Sequence, residues 1–294
     1  MGGSLSGAWT TLGSFGHTTL GWFAHKLWSA TISCVRVDIA GTVVEIHEEA
    51  AGSAGFASVR TWLAPFATEK PPEWRLICEE RAHALAGVSE EYPNLGESVE
   101  TAPRGLCLRS VACDVAWDLA AREARIQGSL RAGIARAILG VLALEQPPAL
   151  PLHASAVGLG QGVHVFCGPS KSGKTTLAHA LGGVLADDIC LLLRDAQRWQ
   201  VAGLPLWEGR PGRGPLTAIY FLEKGILDVR PVSLREALRS LLQEARLLLP
   251  RAEARTRGLE LAAALLEECL PRRLTFGLQD VPSGVRWLCS REVP

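Results

Sequence analysis

Residues 168–175 of this sequence have the types and spacing of a phosphate-binding loop. Gly168 and Gly173 enclose four residues and are followed by Lys174 and Thr175, which completes the pattern G-x-x-x-x-G-K-[ST]. Glycines let the backbone approach phosphate oxygens closely, the lysine reaches the β- and γ-phosphates, and the threonine hydroxyl binds Mg²⁺. The sequence therefore predicts that ATP and Mg²⁺ bind here, through Gly168, Pro169, Ser170, Lys171, Ser172, Gly173, Lys174, Thr175 and Thr176.

Two adjacent carboxylates, Asp187 and Asp188, follow an apolar stretch downstream of the loop. In phosphoryl transfer, one carboxylate can hold the metal ion while a second orients the attacking hydroxyl. Adjacent side chains at the end of a strand point to opposite faces. We therefore predict that one of the two carboxylates binds Mg²⁺ together with Thr175 and that the other faces the acceptor. The competing interpretation is that the pair belongs to a helix cap or a solvent-exposed turn.

The elements that must position these residues follow from hydrophobic periodicity and turn signals. The predicted order around the loop is strand, strand, loop, helix and strand, at 152–157, 163–166, 168–174, 175–181 and 184–188. Gly182 and Gly183 end the helix. Upstream, apolar residues at helical spacing predict a helix over 130–145 that stops before Pro147.

The rest of the chain divides into a β-rich first third and a mixed last third. The predicted strands of the first third lie at 34–39, 42–47, 74–78, 106–111, 115–119 and 124–127. Downstream of the loop we predict a loop at 203–215, strands at 217–222, 273–276 and 285–288, and helices from Ser233 to about 249 and at 251–270. The predicted domains are a poorly defined segment at 1–30, a small, mostly β or α+β unit at 31–128, and an α/β domain at 129–294 whose nucleotide-binding sheet is flanked by helices.

Composition excludes several classes of partner. The 294 residues carry 30 basic and 30 acidic side chains, so no net charge favours nucleic acid or an anionic membrane. No apolar run reaches the roughly 18 residues of a membrane span. The eight cysteines include no Cys-x-x-Cys pair and no histidine at zinc-ligand spacing from such a pair, which is typical of reduced thiols. We therefore expect a cytoplasmic protein without a nucleic-acid or membrane partner.

Three segments together resemble the catalytic domain of the HPr kinase/phosphorylase family. They are Leu-His153-Ala-Ser-Ala, the loop Gly-Pro-Ser-Lys-Ser-Gly-Lys-Thr-Thr, and Leu-Ala-Asp187-Asp188. The resemblance implies that Lys174 and Asp187 act in the transfer of the ATP γ-phosphoryl group to a serine hydroxyl of a small protein, with Asp187 serving the acceptor. Asp188 is then the carboxylate left to bind Mg²⁺ with Thr175. It also implies that His153 is an active-site residue. The competing interpretation of His153 is a core histidine.

Two features depart from the pattern of that family. The spacing between Lys174 and Asp187 is shorter by about one helical turn, so the helix after the loop must be truncated. The Glu-x-Arg-Gly signature of the family is present only as Glu208-Gly-Arg210-Pro. The resemblance implies metal binding by Glu208 and phosphate handling by Arg210, whereas the competing interpretation is a solvent-exposed loop. The first unit does not resemble the usual N-terminal domain of the family.

The sequence thus predicts an ATP- and Mg²⁺-dependent kinase that phosphorylates a serine or similar hydroxyl of a peptide or small protein. Divergent relatives of this catalytic domain include kinases of ribosomally made peptides. One alternative is a small-molecule kinase or an ATPase that uses the same loop. Another is a non-catalytic module that senses ATP. Reversal of the transfer by phosphate attack stays open, as does the homo-oligomer that the resemblance implies.

Overall fold

The computed structural model describes residues 34–48, 54–79, 98–145, 149–195, 198–206, 209–277 and 280–281 of the 294-residue chain. These residues belong to one compact unit. Among them are two mixed β-sheets and five α-helices, and strands predominate. The predicted α/β class is confirmed.

The first sheet contains seven strands, several of which alternate buried and more exposed side chains. Their bounds are β1 (Cys34–Ile39), β2 (Thr42–Glu48), β3 (Trp74–Glu79), β4 (Ser98–Ala102), β5 (Gly105–Arg109), β6 (Cys113–Asp118) and β7 (Glu123–Gly128). The spatial order is β1-β2-β3-β7-β6-β5-β4. β3 runs parallel to both of its neighbours, and all other pairs are antiparallel.

Two helices accompany this sheet, α1 (Ala54–Leu63) and α2 (Leu130–Glu145). α2 packs against β3, β6 and β7. Its Ile134 and Ile138 are fully buried, and the indole nitrogen of Trp117 donates a hydrogen bond to the carbonyl oxygen of Ala137 at 3.3 Å. The bounds of α2 match the sequence prediction. Its packing nevertheless lies mainly with the first sheet, although the sequence grouped it with the domain that follows.

The opposite face of the first sheet carries ionic side chains. We call it the charged face, and its residues are Arg36, Glu45, Arg75, Glu79, Glu123 and Arg125. Arg36 Nε lies 2.6 Å from Glu45 Oε1, and Arg125 lies 3.1 Å from Glu79 and 3.0 Å from Glu123. Cross-strand pairs of opposite charge stabilise a sheet modestly where one face stays in contact with water. This face therefore needs no apolar cover.

The second sheet contains eight strands. Their bounds are β8 (Ala149–Leu159), β9 (Gly162–Cys167), β10 (Val184–Ala186), β11 (Ile189–Arg194), β12 (Trp199–Gly203), β13 (Arg213–Lys224), β14 (Asp228–Pro231) and β15 (Arg272–Phe276). β13 runs parallel to β9 and to β15, whereas the other pairs are antiparallel.

The two longest strands of this sheet, β8 and β13, each change partner along their length. The first half of β8 pairs with β11 and its second half pairs with β9. β13 begins against β12 and continues against β9. Hydrogen bonding therefore closes a ring of five strands, β8-β11-β12-β13-β9. The change of partner in β8 falls between His153 and Ala154, so the ring brings His153 next to the end of β9 that leads into the loop.

β9 is buried along its whole length because both of its faces are covered. On one face, Val165 and Cys167 join a core that includes Leu241 and Leu265 of two helices, α4 (Leu234–Glu244) and α5 (Arg251–Glu268). On the other face, Phe166 packs in a core with Leu177 of α3 (Lys174–Leu181). None of the described helices has the length and apolarity needed to cross a membrane.

α3 spans only eight residues, as the sequence predicted. It ends at Gly182, whose φ of 73° lies in the left-handed region. The carbonyl oxygen of Gly183 accepts a hydrogen bond from the amide of Gly158 in β8 at 3.0 Å, and a Cβ added at Gly183 would lie 2.8 Å from the carbonyl oxygen of Gly158. The short helix and the two glycines thus return the chain to the sheet directly, so that β10 pairs with β8.

α4 begins as predicted, because the hydroxyl of Ser233 accepts a hydrogen bond from the amide of Glu236. The predicted end near 249 is wrong, since the helix stops at Glu244. The chain leaves the helix there to pair with β8: Ala245 forms a bridge with Leu152, and the amide of Arg246 donates to the carbonyl oxygen of Pro151 at 2.9 Å. Backbone pairing with a strand distant in sequence therefore ends the helix early.

The remaining helices and strands can be compared with the positions that local sequence patterns predicted. The hairpin of β1 and β2, the strands β3, β6, β7, β9 and β15, and the start of α5 lie where the sequence predicted them. The predicted loop at 203–215 is too long, because β13 begins at Arg213. The sequence missed α1, β4, β11, β12 and β14. The predicted strand at 285–288 and the segment 1–30 lie outside the described residues.

His164 of β9 is a buried histidine that makes the stability of the protein depend on pH. Neither ring nitrogen has a hydrogen-bond partner among the described residues, and the ring stacks on Tyr220 with centroids 6.0 Å apart. Burial lowers the pKa of His164 to about 4. In the unfolded chain the imidazole of His164 binds a proton at about pH 6.5, whereas in the folded chain it does so only near the lowered pKa. The free energy of unfolding therefore falls as the pH decreases through this interval.

We expect acidification from about pH 7.5 to about pH 5 to lower the free energy of unfolding by about 2 kcal/mol through His164. The variant His164→Phe keeps a ring against Tyr220 but cannot be protonated, so it should lack this component. Urea unfolding of both proteins at the two pH values measures it. An identical pH dependence in the two proteins would contradict the role assigned to His164.

Candidate functional site

The loop of residues 168–175 connects the end of β9 to the start of α3. Lys171 and Gly173 have φ values of 65° and 99°, and the amide of Ser172 donates to the carbonyl oxygen of Pro169 at 3.1 Å. A Cβ added at Gly168 would lie 2.9 Å from the hydroxyl oxygen of Ser172 and 3.3 Å from the carbonyl oxygen of Leu222. Only glycine fits at Gly168 without displacing these atoms. The left-handed residues turn the backbone into a concave loop before the helix.

Lys174, the first residue of α3, is buried beneath this loop. Its ammonium nitrogen donates to the carbonyl oxygens of Gly168, at 2.7 Å, and Pro169, at 3.3 Å. Burial lowers the pKa of Lys174, and the nearby carboxylates of Glu244 and Asp188 oppose this effect. The cation is thus held at the mouth of the loop by neutral carbonyl groups, which a phosphate oxygen can replace as partners.

Thr175 brings the loop into contact with Asp187. The Thr175 hydroxyl donates to Asp187 Oδ1 at 3.1 Å, and the Ser155 hydroxyl of β8 donates to the same oxygen at 2.6 Å. Asp187 is buried, whereas Thr175 is exposed to solvent. Hydroxyl and carboxylate oxygens this close together are the ligands that Mg²⁺ prefers. The pair therefore has the donor set of a magnesium site beside the loop of residues 168–175.

Asp188 has different partners from Asp187. Its φ of 85° is unusual for a residue with a side chain, and its carboxylate lies 3.2 Å from Nε2 of His153. Nδ1 of His153 lies 2.9 Å from Glu244 at the end of α4. Hydrogen bonds to Asp188 and then to Glu244 raise the pKa of His153 although burial opposes them. His153 is therefore a paired histidine between two carboxylates.

These contacts bear on the prediction that one aspartate binds the metal ion and the other faces the acceptor. The predicted strand at 184–188 is too long, because β10 ends at Ala186 and both aspartates follow it. Their side chains nevertheless have different partners. Thr175, however, contacts Asp187, whereas Asp188 contacts His153. The helix-cap interpretation receives no support from these contacts, because both carboxylates bind side chains of other elements.

The remaining predicted residues are placed less closely together. Ser170, Lys171 and Thr176 are exposed. Arg210 is also exposed, and its amide donates to the carbonyl oxygen of Leu185 at 2.9 Å, which ties its backbone to β10. Glu208 lies outside the described residues.

Three residues that sequence reasoning did not assign to the site belong to it by contact. Ser155 lies on the same face of β8 as His153, so strand alternation was a usable signal. His179 lies one turn after Thr175 on α3, with its Nε2 3.9 Å from Asp187 Oδ2. Glu244 carried no signal, because it is 91 positions from His153.

No protein-family model matches this chain. No curated protein matches it significantly either. The resemblance to HPr kinases therefore depends on the motif residues themselves, and the geometry described above carries the functional argument.

The arrangement satisfies the chemical requirements of a nucleoside triphosphate with Mg²⁺. The hydroxyl oxygen of Ser172 is buried without a hydrogen-bond partner among the described residues, so it has unused capacity inside the loop. The positive end of α3 and the Lys174 ammonium favour phosphate oxygens. Thr175 and Asp187 would supply oxygen ligands to a metal ion bound beside the loop.

Proposed function

We propose that this chain is an ATP- and Mg²⁺-dependent kinase that transfers the γ-phosphoryl group to a serine or similar hydroxyl of a peptide or small protein. One observation carries the proposal: Thr175, which follows the loop lysine, shares a hydrogen bond with Asp187 at the end of β10. This contact joins a phosphate-binding loop to a carboxylate pair, as phosphoryl transfer requires. We also propose a fold related to the catalytic domain of HPr kinases for residues 129–294.

Lys174 and the amides of the loop hold the β- and γ-phosphates, and Thr175 and Asp187 hold Mg²⁺. ATP supplies the phosphoryl group, and Mg²⁺ neutralises the charge that develops on it. Gly168 lets the loop pack closely, because a Cβ there would lie 2.9 Å from the hydroxyl oxygen of Ser172. Catalysis of this kind consists mainly of positioning and charge neutralisation.

The contacts favour a reversal of the two aspartate roles that the sequence suggested. Asp187 is buried against Thr175 and Ser155, which suits a metal ligand. Asp188 has a side chain that is 32% exposed and bonded to His153. We propose that Asp188 orients the acceptor hydroxyl and that His153, bonded to Glu244 as well, fixes the carboxylate in place. Arg210 stays a candidate for phosphate handling, and Glu208 stays a candidate for metal binding.

The deciding experiment incubates the full chain with γ-labelled ATP, Mg²⁺ and a complete cell extract, followed by mass spectrometry of labelled products. Label on serine of a peptide or protein is the expected result. Label on a metabolite would instead indicate a small-molecule kinase, and release of inorganic phosphate without any acceptor would indicate an ATPase. Tight ATP binding with no turnover under any of these conditions would identify a sensing module and contradict the proposal.

A further inference from the structure

Three side chains with metal-binding atoms meet on the charged face of the first sheet, far in sequence from the loop. They are Cys34 of β1 and Glu45 and His47 of β2. Cys34 lies directly opposite His47 in the antiparallel pair, and Glu45 precedes His47 by two positions on the same face. One ligand atom from each of the three side chains lies within 4.8 Å of the other two.

The three atoms form a chemically mixed set. A thiolate sulfur, an imidazole nitrogen and a carboxylate oxygen are the ligand types found together around zinc, whereas Mg²⁺ and Ca²⁺ select oxygen alone. With ordinary zinc–ligand distances, neighbouring ligand atoms of a tetrahedral site lie about 3.3–3.6 Å apart. His47 Nε2 lies 2.6 Å from Glu45 Oε2, and all three ligand atoms lie within 4.8 Å of one another, so the cluster has about the size of such a site.

The two carboxylate oxygens of Glu45 have different partners. Arg36 binds Oε1 at 2.6 Å, which leaves Oε2 directed at His47. Arg75 Nε lies 3.9 Å from Oε2, and this guanidinium side chain is 56% exposed. It can therefore withdraw into solvent when a cation binds. Arg36 would remain as the outer partner that orients the ligating carboxylate.

An ionic network by itself accounts for only part of the cluster. The pairs of Glu45 with Arg36 and with His47 explain why a carboxylate with only 7% of its side chain exposed is tolerated there. They give no role to the thiol of Cys34, which faces the same two side chains from the opposing strand. A metal ion is the ligand that uses all three groups together.

We propose that Cys34, Glu45 and His47 form a three-ligand site for Zn²⁺, with a fourth position open to water. Such an ion joins the two strands at the edge of the first sheet. The site is independent of the nucleotide loop and of the proposed kinase activity.

Co²⁺ is the probe that tests this site, because a cobalt–thiolate bond gives an intense near-ultraviolet charge-transfer band. The full chain is stripped with a chelator and titrated with Co²⁺, and then Zn²⁺ is added. We expect a band that saturates at one Co²⁺ per chain, disappears when Zn²⁺ displaces the ion, and does not respond to Mg²⁺. Absence of the band in the wild-type chain would overturn the proposal.

Substitution of the proposed ligands tests where the ion binds. Cys34→Ser should abolish the band, and His47→Gln should weaken Co²⁺ binding by more than about 100-fold, since even the loss of an outer partner costs 10–100-fold. Cys107→Ser, at another partly exposed cysteine of the same sheet, is the matched control and should keep the band. Circular dichroism confirms that each variant folds. A band that persists in Cys34→Ser would place the metal elsewhere and refute the assignment.

Discussion

Replacement of Lys174 by methionine is expected to lower phosphoryl transfer by about 10²–10³-fold and to weaken ATP binding, because the cation that faces the phosphates is lost. Methionine keeps the buried stem of the side chain. The carbonyl oxygens of Gly168 and Pro169 lose one donor, so the free energy of unfolding should fall by only about 1 kcal/mol. The Kd for ATP, the rate of γ-phosphoryl release or transfer, and urea unfolding measure the three effects.

Lys70→Met is the matched control for this variant. Lys70 is an exposed lysine that pairs with Asp38 of the first sheet, and its replacement should change neither nucleotide binding nor transfer. If Lys174→Met binds ATP with the wild-type Kd, the loop of residues 168–175 does not bind the phosphates. The proposed function would then lose its basis.

Asp187→Asn is expected to have the second large effect. The amide oxygen of asparagine can still accept the hydrogen bonds of Ser155 and Thr175, so the fold should be retained. The negative charge beside Thr175 disappears, however, and transfer should fall by about 10²-fold or more because charge neutralisation at the phosphates is impaired. The concentration of Mg²⁺ needed for half-maximal turnover should rise. Steady-state rates across a Mg²⁺ titration measure both changes.

Two further variants make this result specific. Asp188→Asn should lower transfer without raising the Mg²⁺ requirement, since Asp188 contacts His153 and not Thr175. Asp114→Asn, at an exposed position of β6, is the control for a lost surface charge. If Asp188→Asn shifts the Mg²⁺ requirement and Asp187→Asn does not, the roles of the two aspartates are those that the sequence originally suggested.

The contacts of Glu244 show why part of the site escaped prediction. Thr175 and His179 are one helical turn apart, and His153 and Ser155 are two positions apart on one strand. Each pair therefore shares a face, as local periodicity predicts. Glu244 reaches His153 only because α4 ends where Ala245 pairs with Leu152. That pairing depends on the closed ring of strands, which no short segment specifies.

The same distinction applies to the Cys34, Glu45 and His47 cluster. Counting cysteines along the chain identified no zinc pattern, because familiar patterns place ligand pairs close together in sequence. Here the ligands lie on two strands, and the register of the hairpin sets Cys34 opposite His47. A shift of one residue would place these side chains on opposite faces.

The sequence by itself determined the features that depend on neighbours along the chain. These are the loop with its two glycines and Lys174, the short α3 that ends at Gly182, the extent of α2, and the cap at Ser233. Glycine conformations, capping hydrogen bonds and hydrophobic periods act within a few residues. Only the tertiary structure decided that Thr175 meets Asp187, that His153 lies between two carboxylates, and that β8 and β13 close a ring. Those contacts join residues separated by 12 to 91 positions, and their geometry depends on how the strands pair.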